Sequence, residues 1–357
     1  MTRLPPLARR SKTLSASLGL GEKLFASSEE RRFAEAIETG LVEVEEGLLR
    51  EVAFADDMAD VTSRYLLEAG GKRIRPVLTL LTAQLGDGNN AAVITAAQAV
   101  EITHLASLYH DDVMDEAEMR RGVPSAQNVW GNSVAILTGD LLFARASKLV
   151  ASLGEGAIKL QADTFERLCL GQLHETIGPR GDDDPIEHYL QVLADKTGSL
   201  IAAAAQMGVI FSNAPGHYAG PVVAFGEKIG VAFQLIDDVI DLAEPEAETG
   251  KAQGTDLRSG VATLPLLFLR RAALTDPDAA ALLARIVRTV GADDTADTDA
   301  ELAAAIAELR AHEVTAETLD EARRWADEAV AALDPLPEGP VKLALTKFAE
   351  AVVDRST

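Results

Sequence analysis

Two long apolar runs in this chain end in the same acidic pattern, and that pairing is its strongest constraint. ITHLASLYHDD leads into Asp111-Asp112-x-x-Asp115, and IGVAFQLIDD leads into Asp237-Asp238-x-x-Asp241, 126 residues further on. Both runs are predicted helices that bury most of their surface. Residues four apart share a helix face, so Asp111 stacks over Asp115 and Asp237 over Asp241. Carboxylates crowded at the end of a buried helix repel one another and need partners. Each pair can bracket a hard divalent cation with oxygen ligands, and Mg2+ is the usual choice where phosphates complete the shell. The expectation is two acid-tipped helices facing each other across one pocket.

The pattern alone is weak, because it also occurs at Asp56-Asp57-x-x-Asp60 and at Asp293-Asp294-x-x-Asp297. Context separates the four. Asp56 opens the helical stretch DDMADVTSRYLLEA, where acids suit an exposed helix start. Asp293 lies in GADDTADTDAE, which reads as a loop followed by an N-terminal cap. Neither follows a long apolar run.

The rest of the chain is helical in pattern. Apolar residues make up 47% of it, drawn mainly from Ala, Leu, Val and Ile, with 4% aromatics, and strand-like alternation is scarce. Helices are predicted over 29–52, 56–69, 75–86, 90–113, 132–153, 156–176, 186–212, 217–243, 262–273, 277–290, 298–309, 313–332 and 338–352. Breaks fall at Gly70-Gly71, Gly86 to Gly88, Gly122 to Pro124, Gly178 to Pro185, Pro215-Gly216 and Pro335 to Pro340. The pattern predicts one large all-α domain over residues 28–357, preceded by a flexible arm over 1–27 that carries Arg3, Arg9, Arg10 and Lys12. A net charge of −23 argues against nucleic-acid binding and against electrostatic attachment to anionic lipid, leaving at most peripheral membrane contact. The one cysteine, Cys169, excludes an internal disulfide and fits a reducing compartment. No apolar run is expected to span a bilayer, so the predicted location is cytoplasmic.

Cations stand beside the acids. Arg120 and Arg121 follow Asp115, and GGKRIRP places Lys72, Arg73 and Arg75 on a turn before a new helix. Lys196-Thr197-Gly198 interrupts a helical stretch, and Lys251 opens a loop that ends near Asp256. Arginine grips phosphate oxygens with a rigid fork, while lysine supplies a mobile point charge. Six carboxylates and a bound diphosphate are nearly balanced by three Mg2+ ions with Arg120, Arg121, Lys196 and Lys251. Without metal the cluster is unbalanced.

With these residues in view, the chain resembles the trans-isoprenyl diphosphate synthases, specifically the bacterial long-chain polyprenyl diphosphate synthases. The matching segments run through GGKRIRP, EITHLASLYHDDVMDEAEMRRG, GNSVAILTGD, GQLHET, KTGSL, FQLIDDVIDL and GKAQGTDLRSGVATLPLL. The resemblance implies an orthogonal helical bundle around a central cavity, and a homodimer. It also implies condensation of isopentenyl diphosphate with an allylic diphosphate, farnesyl or geranylgeranyl. By the same resemblance Asp111 and Asp115 hold two Mg2+ ions, and Asp237, helped by Asp241, holds a third. Arg120, Lys196 and Lys251 grip the allylic diphosphate. Lys72, Arg75, His104 and Arg121 bind isopentenyl diphosphate, while Gln234 and the backbone around Lys196 and Thr197 face the allylic cation. His104 stands about two helical turns before Asp111 on the same face, whereas His110 is given no role. Short-chain relatives often carry a second lysine where this chain has Val261, with Arg258 nearby.

Ala106 and Ser107 lie about one turn before Asp111, where short-chain relatives often place a bulky aromatic floor. Small residues there predict an open tunnel and a product of roughly eight or nine units. The resemblance assigns such a chain to respiratory quinones, menaquinone in particular. Three other readings stand beside this one: a shorter-chain geranylgeranyl synthase, a class I terpene cyclase, and a non-catalytic regulatory subunit. A cyclase needs no second diphosphate site, so GGKRIRP and Arg121 favour elongation. A regulatory subunit tends to lose aspartates or cations that this chain retains.

Overall fold

The computed structural model describes residues 28–243, 254–290 and 296–356. Its helices are α1 (Ser28–Glu51), α2 (Asp57–Ala69), α3 (Ile74–Ala83), α4 (Ala91–Met114), α5 (Ala126–Trp130), α6 (Asn132–Ser152), α7 (Glu155–Ile177) and α8 (Pro185–Leu193). They continue as α9 (Ser199–Phe211), α10 (Ala219–Asp241), α11 (Thr255–Arg258), α12 (Leu264–Ala272), α13 (Pro277–Val290), α14 (Ala296–Ala311), α15 (Glu313–Ala332) and α16 (Pro340–Val353). Among the described residues the only strands are β1 (Met119–Arg120) and β2 (Val123–Pro124), paired as an antiparallel hairpin. The all-α expectation holds. The arm over residues 1–27, Lys251, Asp293 and Asp294 lie outside the described residues.

Two local features depart from the predicted elements. The helix expected over 186–212 is broken by a π-helical turn, Ala194–Gly198, which carries Lys196 and Thr197. The segment between α4 and α5 forms the small hairpin. Arg121 (φ 53°) and Gly122 (φ 77°) supply the two left-handed residues that a tight two-residue hairpin turn requires.

The chain forms two compact units. The first takes residues 28–167, 199–226 and 332–351. Its central helix, α4, starts at Asn90, whose side chain accepts hydrogen bonds from the Ala92 and Val93 amides at 2.9 and 3.0 Å. Helix α4 is buried around its whole circumference, from Val93 to Tyr109. It packs most extensively on α6, and also on α3 and α9. The Thr79 and Thr82 hydroxyls on α3 donate to the Ala204 and Ala205 carbonyls of α9 at 2.9 and 2.8 Å.

The second unit takes residues 168–198, 352–356 and the described part of 227–331. Its core joins Val231, Leu235 and Ile236 of α10 to Leu264 and Phe268 of α12, Leu282 and Ile286 of α13, and Ile306 and Leu309 of α14. The Ala-rich region after residue 275 therefore contributes core residues.

Two segments, Ala91–Met114 and Gly216–Asp241, are long and apolar enough to cross a membrane, which corrects the expectation that no run reaches that length. Burial accounts for the composition of Ala91–Met114, since 72% of its most apolar window is enclosed by protein, against 50% for Gly216–Asp241. A helix wrapped on all sides is apolar on all sides.

Candidate active site

In the first unit the acids stand at the C-terminal end of α4. Asp115 is the C-cap residue, and its amide donates to the Asp111 carbonyl at 2.8 Å. Asp111 is half-buried and Asp115 exposed. Asp112 is fully buried and accepts a 2.6 Å hydrogen bond from Arg120 Nε. Burial pushes the Asp112 carboxyl up, and the Arg120 charge opposes that rise. A helix C-terminus already carries partial negative charge, so acids there are held against the helix dipole. A cation relieves both that clash and the mutual repulsion of the carboxylates. The donor set is all hard oxygen, the kind that suits Mg2+ or Ca2+.

The hairpin and the GGKRIRP loop bring the cations in. Arg121, beside Arg120 at the hairpin turn, donates through Nη1 to the Leu66 carbonyl at 2.7 Å and to the Gly70 carbonyl. Arg75 in the first turn of α3 has a buried Nε without a hydrogen-bond partner. Its pKa is lowered to about 10 by burial, with the Glu101 carboxylate opposing the drop. His104, part-buried on α4, is held well below the usual histidine range by burial and then by Arg75, Arg121, Arg120 and Arg73. It is therefore neutral at physiological pH, with one N–H to donate.

The second unit repeats the design at the end of α10. Asp237 is half-buried, and its Oδ1 lies 2.9 Å from Arg355 Nη2, whose guanidinium also covers the Phe233 ring. Asp238 is buried and accepts from the Tyr189 hydroxyl at 2.8 Å and the Leu264 amide at 3.3 Å. Burial holds its carboxyl well above the ordinary range, opposed by the Tyr189 hydrogen bond. Asp241 accepts from the Asp256 amide at 3.1 Å, fixing the start of α11. Gln234 lies one turn before Asp237 on α10 and is half-buried. Lys196, in the π-helical turn, pairs with Glu175 of α7 at 2.5 Å. Gly171 lets α7 pass that turn, because a Cβ there would lie 2.7 Å from the Lys196 backbone nitrogen.

Comparison with known proteins then decides the family. The family model for polyprenyl synthetase matches residues 57–306. The chain belongs to the polyprenyl synthetase family. The nonaprenyl diphosphate synthase of Mycobacterium tuberculosis is 43% identical over 97% of this chain and 99% of that protein. A polyprenyl synthase from Caulobacter crescentus, crystallised with calcium and isoprenyl diphosphate, superposes with a TM-score of 0.81 at 30% identity, over 92% of this chain and 98% of that one. The geranylgeranyl pyrophosphate synthase of Corynebacterium glutamicum, also with calcium and isoprenyl diphosphate, gives 0.77 at 39% identity, over 93% and 99%.

Within this polyprenyl synthetase, the sequence-predicted residues Lys72, Arg75, His104, Ala106, Ser107, Asp111, Asp115, Arg120 and Arg121 all fall in the first unit. Lys196, Thr197, Gln234, Asp237 and Asp241 fall in the second. Ala106 and Ser107 are both buried on α4. Asp56 caps α2 by accepting from the Ala59 amide at 2.9 Å, and Asp297 lies in the first turn of α14. His110 is structural: its Nε2 lies 3.0 Å from the Ile136 carbonyl on α6. Arg258 is committed to Asp299 at 2.6 Å. Among the described residues no three His, Cys, Asp or Glu side chains form a ready-made cluster, so a cation held here would draw further ligands from water or substrate. Glu101, Glu175, Tyr189 and Arg355 were not predicted, and Arg73 was read only as a loop cation, because their partners are distant in sequence.

Proposed function

We propose that this chain is a divalent-metal-dependent prenyltransferase that condenses isopentenyl diphosphate with farnesyl or geranylgeranyl diphosphate. The product is a long all-trans-polyprenyl diphosphate of roughly eight or nine units, a reading supported by the small side chains of Ala106 and Ser107 about one helical turn before Asp111. The single observation that carries the reaction class is the pair of acid patterns at helix C-termini, each with cationic side chains beside it. The 43% identity to a nonaprenyl diphosphate synthase over 97% of the chain supports the long product. The shorter-chain reading draws on the 39% identity to the Corynebacterium glutamicum enzyme. The quinone side chain, menaquinone's in particular, is the destination we infer, with the enzyme cytoplasmic and at most peripheral to the membrane.

Asp111 and Asp115 would hold two Mg2+ ions and Asp237, with Asp241, a third. Bound there, the metal supplies Lewis-acid stabilisation of the charge that develops on the diphosphate. Arg120, Lys196 and Lys251 orient the allylic diphosphate and meet the same charge as the C–O bond breaks. Gln234 and the carbonyls near Lys196 and Thr197 face the allylic cation left behind. Lys72, Arg75, Arg121 and neutral His104 hold isopentenyl diphosphate so that its double bond attacks that cation. Loss of a proton to the released diphosphate completes the longer chain.

We also infer a homodimer. Ile136, Leu137 and Leu141 on α6 are 42%, 61% and 39% exposed, an apolar stripe suited to a second copy. The function is tested with the purified chain, Mg2+ and farnesyl diphosphate, with and without isopentenyl diphosphate. Growth of the chain only when both are present supports synthesis. A cyclic hydrocarbon from farnesyl diphosphate alone would establish a cyclase, and no turnover would point to a regulatory subunit.

A further inference from the structure

Arg73 sits between two residues assigned to isopentenyl diphosphate, yet its own side chain turns inward. Its backbone is left-handed (φ 54°, ψ 34°), a conformation that non-glycine residues rarely adopt and that costs on the order of 1 kcal/mol or more. The strain is offset by contacts. The guanidinium, 5% exposed, donates through Nε to Glu45 Oε1 at 2.5 Å and through Nη2 to Glu45 Oε2 at 3.4 Å. It also donates to Glu101 Oε1 at 3.2 Å and to the Gly70 and Leu67 carbonyls at 3.1 and 3.3 Å. One side chain thereby ties α1, α4 and the end of α2 to the loop that displays Lys72 and Arg75.

Two further observations converge on this network. Gly71 leaves no room for a side chain, because a Cβ there would lie 3.0 Å from Arg121 Cζ and closer still to Arg73 Nη1. Glu101 is 2% exposed, three residues before His104 on α4, and its charge favours the protonated forms of Arg73, Arg75 and Arg121 alike. Arg73, Arg75 and Arg121 stand against Glu45 and Glu101, with Asp111 also acting on Arg75, and the exposed Lys72 is next to them in the chain. Buried ion networks seldom stabilise a fold better than apolar packing would, so placing the loop's cations accounts for this one better than stability alone.

We propose that Arg73, held by Glu101 and Glu45, is a positioning residue for isopentenyl diphosphate. It touches no substrate. It sets the direction in which Lys72 and Arg75 point, and Glu101 keeps the surrounding guanidiniums together in one pocket without letting them repel apart. The inference rests on the proposed assignment of Lys72, Arg75 and Arg121 to that substrate.

The test compares Arg73→Met, Arg73→Lys and Arg75→Met in the full-length enzyme, each checked for folding by a thermal scan. Initial rates are measured against isopentenyl diphosphate and, separately, against the allylic diphosphate. Both Arg73 variants should raise KM for isopentenyl diphosphate about tenfold, with kcat and the allylic KM within about twofold, since a small misplacement of binding groups is costly. Lysine should fail to rescue, because an ammonium cannot span two carboxylates and two carbonyls. Folded Arg73 variants with an unchanged isopentenyl diphosphate KM, or with equal losses for both substrates, would overturn the inference alone if Arg75→Met raises that KM. An unchanged KM in Arg75→Met would overturn the site assignment, and the inference with it.

Discussion

Neutralising the acids at the end of α4 should move stability and ligand response in opposite directions. Asp111 and Asp115 stand in the last turn and at the C-cap of a 24-residue helix, against its dipole and four residues apart. Each such charge costs about 0.3–1 kcal/mol, and a like-charge pair at this spacing about 0.2–0.5. Asp115 is exposed, so solvent screens its share. Arg75 also loses the favourable field of Asp111. The net gain for Asp111→Asn/Asp115→Asn in metal-free protein is therefore about 0.5–1 kcal/mol. An unfolding entropy of about 2.1 cal/mol/K per residue makes 1 kcal/mol worth about 1.3 °C in this 357-residue chain. The double variant should melt about 1 °C above wild type in chelator. Wild type should gain about 3–4 °C when Mg2+ and inorganic diphosphate are present at about 100 times Kd. The variant, left with the Asp237 site alone, should gain clearly less. Differential scanning calorimetry with chelator and with Mg2+–diphosphate reads both numbers. Equal ligand-induced gains in the two proteins would refute the reasoning.

Three further outcomes follow from particular residues. Ala106→Phe should shorten the product to about three or four units, because a ring one turn below Asp111 blocks the space (chromatography of the dephosphorylated products reads this). The KM for isopentenyl diphosphate should stay flat between about pH 7 and 9, because burial and the guanidiniums of Arg75 and Arg121 keep His104 neutral throughout; a histidine-like inflection in that range would contradict this. Tyr189→Phe removes the 2.8 Å hydrogen bond to buried Asp238, costing about 1.5–3 kcal/mol and lowering the melting temperature by about 2–4 °C.

Much of this was legible in the sequence because periodicity and burial go together. The α4 pattern predicted 90–113 and the helix runs Ala91–Met114. The acid patterns stood out because each closes such a helix. The hairpin did not, since its strands are two residues each and two residues show no alternation. The interruption at Lys196-Thr197-Gly198 was legible, but its π-helical form was not, because apolar spacing resumes on its far side. The supporting residues were hidden for another reason. Arg73 finds Glu45 and Glu101 at separations of 28 residues, Tyr189 finds Asp238 at 49, and Lys196 finds Glu175 at 21. Only the folded chain brings those pairs together. Gly71 was read as a simple turn glycine, though its missing Cβ makes way for two guanidiniums.

The assignment of both acid patterns to one metal-dependent reaction is tested most directly by counting bound Mn2+ by electron paramagnetic resonance, with an unreactive allylic diphosphate analogue present. Wild type should bind three ions per chain, Asp237→Asn about two, and Asp111→Asn/Asp115→Asn about one. A count that either variant leaves unchanged would contradict it.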